Sequence, residues 1–268
     1  MVKMGTVWDR TAEFVTDNLS AIVPVALLAF FVPFSIQGNL ATLRQNAGAD
    51  LAVTLELVSL AFGVLVLWGS LAIVAMALGL RDARAVATRR LPAALLVWIA
   101  LFAALVAPVL VLLLVTDTIA LAMEIAQNGL DFAALGRAMA IVYVLLIVAP
   151  LLLWLGARLI VVGPGIVAEQ RLFSAIRRSF QLTRGHGLMI VGVILLYGLV
   201  AFVAKLAAQT VFGSIFQLIS GPASGVSLSQ VLASVMVALV QTAFAVIAPA
   251  FTAKLFLALT QREAAGIP

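Results

Sequence analysis

The chain has 268 residues, of which 65% are hydrophobic and only 10% are charged. A soluble globular domain carries about 45–50% apolar and about 25% charged residues, so this composition excludes a soluble fold and predicts an integral membrane protein. The net charge of +5 is typical of basic loops that meet anionic lipid, and we expect no nucleic-acid partner.

Six apolar segments are long enough to cross a bilayer, because a spanning helix needs about 20 apolar residues. They are continuous and rich in Leu and Ala, which favours helices over the alternating strands of an outer-membrane barrel. The predicted spans are residues 19–36, 56–80, 92–115, 138–163, 187–208 and 230–258. The sequence therefore predicts an all-α polytopic membrane protein, with one transmembrane domain over residues 1–268 and no separate soluble domain.

Basic residues are concentrated in the loops on one side of the predicted spans. That side carries Lys3, Arg10, Arg81, Arg84, Arg89, Arg90, Arg171, Arg177, Arg178, Arg184 and Arg262, whereas the other side carries Arg44, Arg137 and Lys205. Short cytoplasmic loops are enriched in Lys and Arg. We therefore expect the basic side of the protein and both termini to face the cytoplasm.

Two of the basic loops have the pattern of short amphipathic helices that lie in the membrane interface. Residues 81–91 read RDARAVATRRL and residues 169–180 read EQRLFSAIRRSF, with basic residues on one helical stripe and small or apolar residues on another. Residues 7–19 have a weaker version of this pattern. We predict interfacial elbow helices at residues 82–90 and 171–180.

An elbow, a span out and a span back would be the unit of a parallel internal repeat. VATRR at residues 86–90 matches SAIRR at residues 174–178 in spacing and character. Three such units would give three tandem helical hairpins. A chance match in Ala- and Arg-rich sequence is the alternative.

Prolines inside the predicted spans have two interpretations. They are Pro24, Pro33, Pro108, Pro150 and Pro249, and Gly163-Pro164-Gly165 interrupts the end of the fourth span. A proline removes a backbone donor and kinks a helix. Ordinary kinking is one interpretation, and a hinge or a broken helix that lines a cavity is the other.

One stretch of about thirty residues carries a family resemblance. Residues 158–188 read RLIVVGPGIVAEQRLFSAIRRSFQLTRGHGL, and the positions that carry the pattern are Arg158, Pro164, Glu169, Ala175, Arg177, Arg178, Ser179, Leu182, Thr183, Arg184 and Gly185. The stretch resembles the membrane-domain family found attached to some glycerophosphodiester phosphodiesterases, which also has stand-alone bacterial inner-membrane members of uncharacterised function. His186 departs from the pattern, because an aromatic residue often follows the glycine.

The resemblance implies a six-span helical domain with interfacial helices in the bacterial inner membrane, but it does not imply phosphodiesterase activity. Phosphodiesterase chemistry belongs to a separate soluble barrel domain. In this chain the absence of cysteine and the presence of one histidine, His186, exclude thiolate chemistry and sites built on two histidines. Serine-hydrolase, zinc-protease and phosphate-loop motifs are also absent from the sequence. We therefore predict no enzymatic activity, no catalytic residue, no metal and no cofactor.

Two cations lie at comparable depth inside predicted spans, Arg158 in the fourth and Lys254 in the sixth. A charge at such depth is costly, so it faces the bundle interior, a partner or the interface by snorkelling. If the two spans are neighbours, these cations could converge with residues at the span ends. The candidate lipid-headgroup or structural charge site consists of Arg158, Glu169, Arg177, Arg178, Arg184 and Lys254.

These features favour a non-enzymatic membrane protein that binds, organises or moves anionic phospholipid in envelope homeostasis. Membrane phospholipid is the expected partner, with other membrane proteins as further candidates. A transporter or channel for a small solute and an assembly subunit of a larger membrane complex are the alternatives. The spans hold few polar residues, which argues against a path for a solute.

Overall fold

The structure is a computed structural model that describes residues 4–45, 48–126, 146, 149–169, 174–220 and 228–265. Within these ranges the chain is almost entirely helical, and no strand is found. Six helical segments in them are long and apolar enough to cross a membrane, namely Leu19–Gly38, Asp50–Ala77, Ala83–Ala104, Ala149–Glu169, Gly187–Ile215 and Val231–Ala264. The predicted all-helical, six-span fold is confirmed. Arg137 and most of residues 138–148, the first part of the predicted fourth span, lie outside the described residues.

The chain begins with an amphipathic helix, α1 (Met4–Asp17), that packs against the last helix of the bundle. Val7, Thr11 and Phe14 recur at helical spacing and are its buried residues. The Thr11 hydroxyl donates to the Val7 carbonyl at 2.7 Å, so this polar side chain is satisfied within the helix. The weak amphipathic pattern at residues 7–19 therefore corresponds mainly to a helix with one face buried in the bundle.

The first span consists of three consecutive helical pieces. They are α2 (Leu19–Ala26), a π-helical segment (Leu27–Phe31) and α3 (Val32–Gln45). Pro24 lies inside α2 and has no N–H for the helical ladder, and the wider π turns follow it within one turn.

The second and third spans are α4 (Ala49–Ala77) and α5 (Ala83–Ala126), joined by a tight turn that includes Gly79 at φ +72°. The prediction of a separate elbow at residues 82–90 is wrong. Residues from Ala83 onward form the first turns of α5, which continues unbroken into the span. Residues 83–91 contain no glycine or proline, and Pro92, which cannot donate to the carbonyl of Thr88, lies inside α5 without ending it.

The fourth span is a broken helix, α6 (Ala149–Leu159) followed by α7 (Val162–Glu169). Pro164 cannot donate to the carbonyl of Ile160, and the break lies at residues 160–161. A separate short helix, α8 (Ser174–Leu182), then follows as the second elbow predicts. Residues 170–173 of that elbow lie outside the described residues.

The last two spans are α9 (Gly187–Ser220) and α10 (Leu228–Ala264), which pack against each other as an antiparallel pair. Helix α10 is central to the bundle and also contacts α1, α3, α4, α7 and α8. Within each predicted hairpin the two spans are in contact, α3 with α4, α5 with α7, and α9 with α10. The threefold repeat itself stays a prediction.

The first span and α4 approach each other closely at Gly69. A Cβ atom built on Gly69 would lie 2.4 Å from the Cβ of Ala29, so only glycine allows this approach. Ala29, Phe30 and Ile73, all at 0% exposure, belong to the same cluster of buried side chains. Apolar packing therefore holds the π-helical segment against α4, and the lack of a side chain at Gly69 allows the two backbones to come this close.

Candidate functional site

Four elements meet at one end of the bundle, the end of α7, the whole of α8, the beginning of α9 and the end of α10. This end, called the basic end below, holds five of the six residues of the sequence-predicted charge site at or near these elements. They are Arg158, Glu169, Arg177, Arg178 and Arg184.

Arg178 on α8 forms an ion-pair cluster with two carboxylates from different helices. Its Nε lies 3.3 Å from Glu169 Oε1, at the end of α7. Its Nη1 and Nη2 donate to the two carboxylate oxygens of Glu263 on α10, with Nη1 at 2.7 Å, in a bidentate fork. The hydrogen bonds to Glu263, with a smaller contribution from Glu169, raise the pKa of Arg178 above its ordinary value. Arg178 is therefore engaged by the protein itself and joins α7, α8 and α10.

Sequence reasoning missed Glu263. It lies 85 positions from Arg178, and no periodicity connects the two residues. The only available signal was that Glu263 is an acidic residue in the last turn of a span, on the side where basic residues are concentrated.

Arg158 lies in the last turn of α6, with its side chain against the beginning of α9. A Cβ atom on Gly187 would lie 3.7 Å from Arg158 Nε, and the Arg158 Cζ lies 5.2 Å from the centroid of the Trp154 ring. The Nε atom is buried and has no hydrogen-bond partner among the described residues. Arg158 is therefore a cation at the basic end that no described carboxylate neutralises.

Lys254 has different surroundings. Its ammonium donates to the carbonyl of Ala77 at 3.0 Å and lies 4.8 Å from the centroid of the Phe14 ring. These contacts come from the end of α4 and from α1, whereas those of Arg158 come from α6, α8 and α9. The sequence-predicted site is therefore divided, because the described contacts of Arg158 and Lys254 share no residue.

Arg177 and Arg184 have exposed side chains at the basic end. The backbone carbonyl of Arg184 lies 3.3 Å from Nδ1 of His186, and Nε2 of that histidine lies 2.6 Å from Nη1 of Arg262. His186 therefore connects the loop before α9 to the end of α10.

Several positions of the family pattern serve the local architecture of the elbow. The Ser179 hydroxyl, 1% exposed, donates at 2.5 Å to the carbonyl of Arg158, next to the break between α6 and α7. The buried Thr183 hydroxyl donates to the Ser179 carbonyl at 2.8 Å. Gly185 has φ +82°, a conformation that favours glycine. These contacts hold α8 against the broken fourth span and bring Arg158 to the beginning of α9.

An apolar cavity of about 790 Å³ lies between the spans. Ile160, Gly163 and Pro164, at the break of the fourth span, form part of its wall, and Pro249 of α10 forms another part. Of the two interpretations of the prolines, a broken helix that lines a cavity is therefore the one found in the fourth span. The contributions of Trp8, Trp98 and Phe102 to this cavity had no recognisable signal in the sequence.

The geometry defines a six-span helical membrane protein with a cationic end and an apolar intramembrane cavity. Comparison with known proteins adds no narrower class, since no family model, no curated protein and no solved structure matches the chain. The resemblance to the membrane domains attached to glycerophosphodiester phosphodiesterases therefore stays a prediction.

Proposed function

We propose that this chain is a non-enzymatic protein of the bacterial inner membrane that binds anionic phospholipid at its basic end. The observation that carries the proposal is Arg158, whose buried Nε has no hydrogen-bond partner among the described residues. An uncompensated cation inside a bilayer is costly. A phosphate group from a lipid would remove this cost without any further protein residue.

The surroundings of Arg158 suit a phosphate. A guanidinium group matches phosphate geometry through paired N–H donors. Helix α9 begins at Gly187 beside it, and the first turn of a helix adds unpaired N–H groups and partial positive charge. The exposed side chains of Arg177 and Arg184 add positive charge at the same end. Arg178 is not assigned to the lipid, because Glu169 and Glu263 already engage it.

In the cell such a protein would organise or move anionic phospholipid in envelope homeostasis, with the basic end and both termini facing the cytoplasm. The resemblance to stand-alone inner-membrane members of the glycerophosphodiester phosphodiesterase membrane-domain family supports this placement. A path for a small polar solute is less well supported, because the cavity between the spans is lined almost wholly by apolar side chains.

The lipid proposal predicts that Arg158→Gln loses anionic lipid on purification. Native mass spectrometry of the detergent-purified protein should detect bound phosphatidylglycerol or cardiolipin, and the bound fraction should fall several-fold in the variant. The reason is that glutamine keeps a polar group of similar reach but carries no charge for the phosphate.

Lys205→Gln is the matched control for this loss of one positive charge. Lys205 is exposed on α9 and lies 18 residues after Gly187, which is about 27 Å along a helix. Its lipid retention should equal that of the unmodified protein. Equal retention in the Arg158 and Lys205 variants, with both proteins folded, would reject the proposed headgroup site.

The proposed orientation predicts which residues a membrane-impermeant thiol reagent reaches. The chain contains no cysteine, so single cysteines can be introduced without background. We expect Gly48→Cys to be labelled from outside intact spheroplasts, and Ala85→Cys and Ser174→Cys to be labelled only after permeabilisation. All three positions are exposed, so a cysteine that fails to react cannot be explained by burial in the protein. Labelling of Ala85→Cys in intact cells would reverse the orientation.

A further inference from the structure

The cavity between the spans has a chemical character that identifies its ligand class. Its polar lining is sparse, and the hydroxyls that belong to it already donate to backbone carbonyls. Ser70 donates to Val66 at 2.9 Å, Thr252 to Pro249 at 3.0 Å, and Tyr197 to the Phe244 carbonyl. A polar solute would find few free partners there. Such a wall suits hydrocarbon.

One wall of the cavity also faces the outside of the bundle. Trp98 and Phe102 on α5 and Leu152 on α6 line the cavity, and they are 48%, 67% and 38% exposed. In a spanning segment this exposure is to the lipid phase. Gly156 lies on the same wall, and a Cβ built there would have no neighbouring atom within 4 Å. A ligand can therefore enter sideways from the bilayer without crossing water.

We infer that this cavity binds the hydrocarbon chain of a membrane lipid, which enters between α5 and α6. An unfilled apolar void forfeits the dispersion contacts of its lining, and the bilayer supplies hydrocarbon at high concentration beside the opening. The volume of about 790 Å³ lies in the range of small-molecule sites. The lipid headgroup stays outside, because the cavity offers it few free polar partners.

This hydrocarbon site is separate from the headgroup site at Arg158. On α6 the cavity is lined by Leu152, Gly156 and Leu159, whereas Arg158 points to Trp154 and Gly187. The inference therefore does not rest on the proposed function, and either can fail without the other.

The test uses a zwitterionic probe, phosphatidylcholine with a photoactivatable diazirine near the end of one acyl chain. The full-length protein is reconstituted in vesicles that contain this lipid, irradiated and digested, and the adducts are mapped by mass spectrometry. Phe251 lines the cavity and is 5% exposed, whereas Leu196 on α9 is 63% exposed and is absent from the lining. We expect adducts at both positions, since only a chain inside the cavity reaches Phe251. Adducts at Leu196 without adducts at Phe251 would overturn the inference.

A variant that blocks the opening of the cavity tests whether the Phe251 adducts come from a chain inside it. Gly156→Phe places a ring in the opening and should reduce adducts at Phe251 at least fivefold, with adducts at Leu196 unchanged. Gly198→Phe is the control, because Gly198 is exposed, has no atom within 4 Å of a built Cβ and does not line the cavity. If Gly156→Phe does not fold, Gly163→Leu adds bulk at another part of the lining.

Arg158→Gln separates the two sites. It should keep the Phe251 adducts whatever its effect on anionic lipid. Loss of these adducts in folded Arg158→Gln, or their persistence in folded Gly156→Phe, would contradict a separate hydrocarbon site.

Discussion

Replacing Gly69 by alanine is expected to lower the free energy of unfolding by about 1–3 kcal/mol, the usual range for overpacking a core. The new methyl group would lie 2.4 Å from the Cβ of Ala29 and 3.2 Å from the Cζ of Phe30. Neither neighbour can move aside alone, because the Ala29 Cβ is fixed to its backbone and both residues are 0% exposed. The first span and α4 must therefore separate, which weakens apolar packing along their contact.

Two further variants identify close helix approach as the cause. Gly63→Ala lies on the same helix, where a built Cβ has no neighbour within 4 Å, and it should be neutral or slightly stabilising. Ala29→Gly in the Gly69→Ala background removes the opposing methyl group and should restore much of the lost stability. Thermal unfolding in detergent, followed by circular dichroism, measures all three. Equal midpoints for Gly69→Ala and Gly63→Ala would contradict the predicted clash.

The number and helical nature of the spans could be predicted from the sequence because the bilayer imposes them. A segment that crosses hydrocarbon must satisfy its own backbone groups and present apolar side chains, so hydropathy is sufficient to find it. The break in the fourth span was also open to prediction, since Pro164 removes a donor at a known position. Helix ends were less predictable. Residues 83–90 have an interfacial pattern but form the first turns of α5.

The partners within the charge site could not be predicted from one sequence. Arg178 and Glu263 are 85 positions apart, and Lys254 and Ala77 are 177 positions apart. The acceptor for Lys254 is a backbone carbonyl, which every residue type provides, so no side-chain pattern reports it. Arg158 differs because a lone arginine in an apolar segment already indicates a special environment. The sequence could indicate which charges are unusual, but not how the helices distribute them.

Substitutions at Lys254 and at the exposed Lys205 test whether the contacts of Lys254 stabilise the fold. Lys254→Met keeps the length of the side chain but loses the hydrogen bond to Ala77, which should cost about 1 kcal/mol. Lys205→Glu reverses a charge at an exposed position of α9, about 27 Å along the helix from Gly187 and so near the far boundary of a hydrocarbon core of about 30 Å, where a charged side chain reaches water, and it should change stability much less. Lys254→Met measures the effect of removing the charge at position 254, and Lys205→Glu measures the effect of reversing a charge at an exposed position.

Lys254→Glu is expected to cost roughly 3 kcal/mol or more and to reduce the yield of folded protein severely. Ala77 is the last residue of α4, where carbonyl groups lack helical partners and carry partial negative charge. A carboxylate there would face this carbonyl oxygen and the negative face of the Phe14 ring, so both present attractions become repulsions. Of the two nearby charged side chains, Arg10 would attract the carboxylate more strongly than Glu13 would repel it, but Arg10 is exposed, so water screens this attraction. Size-exclusion chromatography of a fluorescent fusion measures the folded yield. A yield for Lys254→Glu that equals that of Lys205→Glu would mean that the Lys254 contacts contribute little to folding.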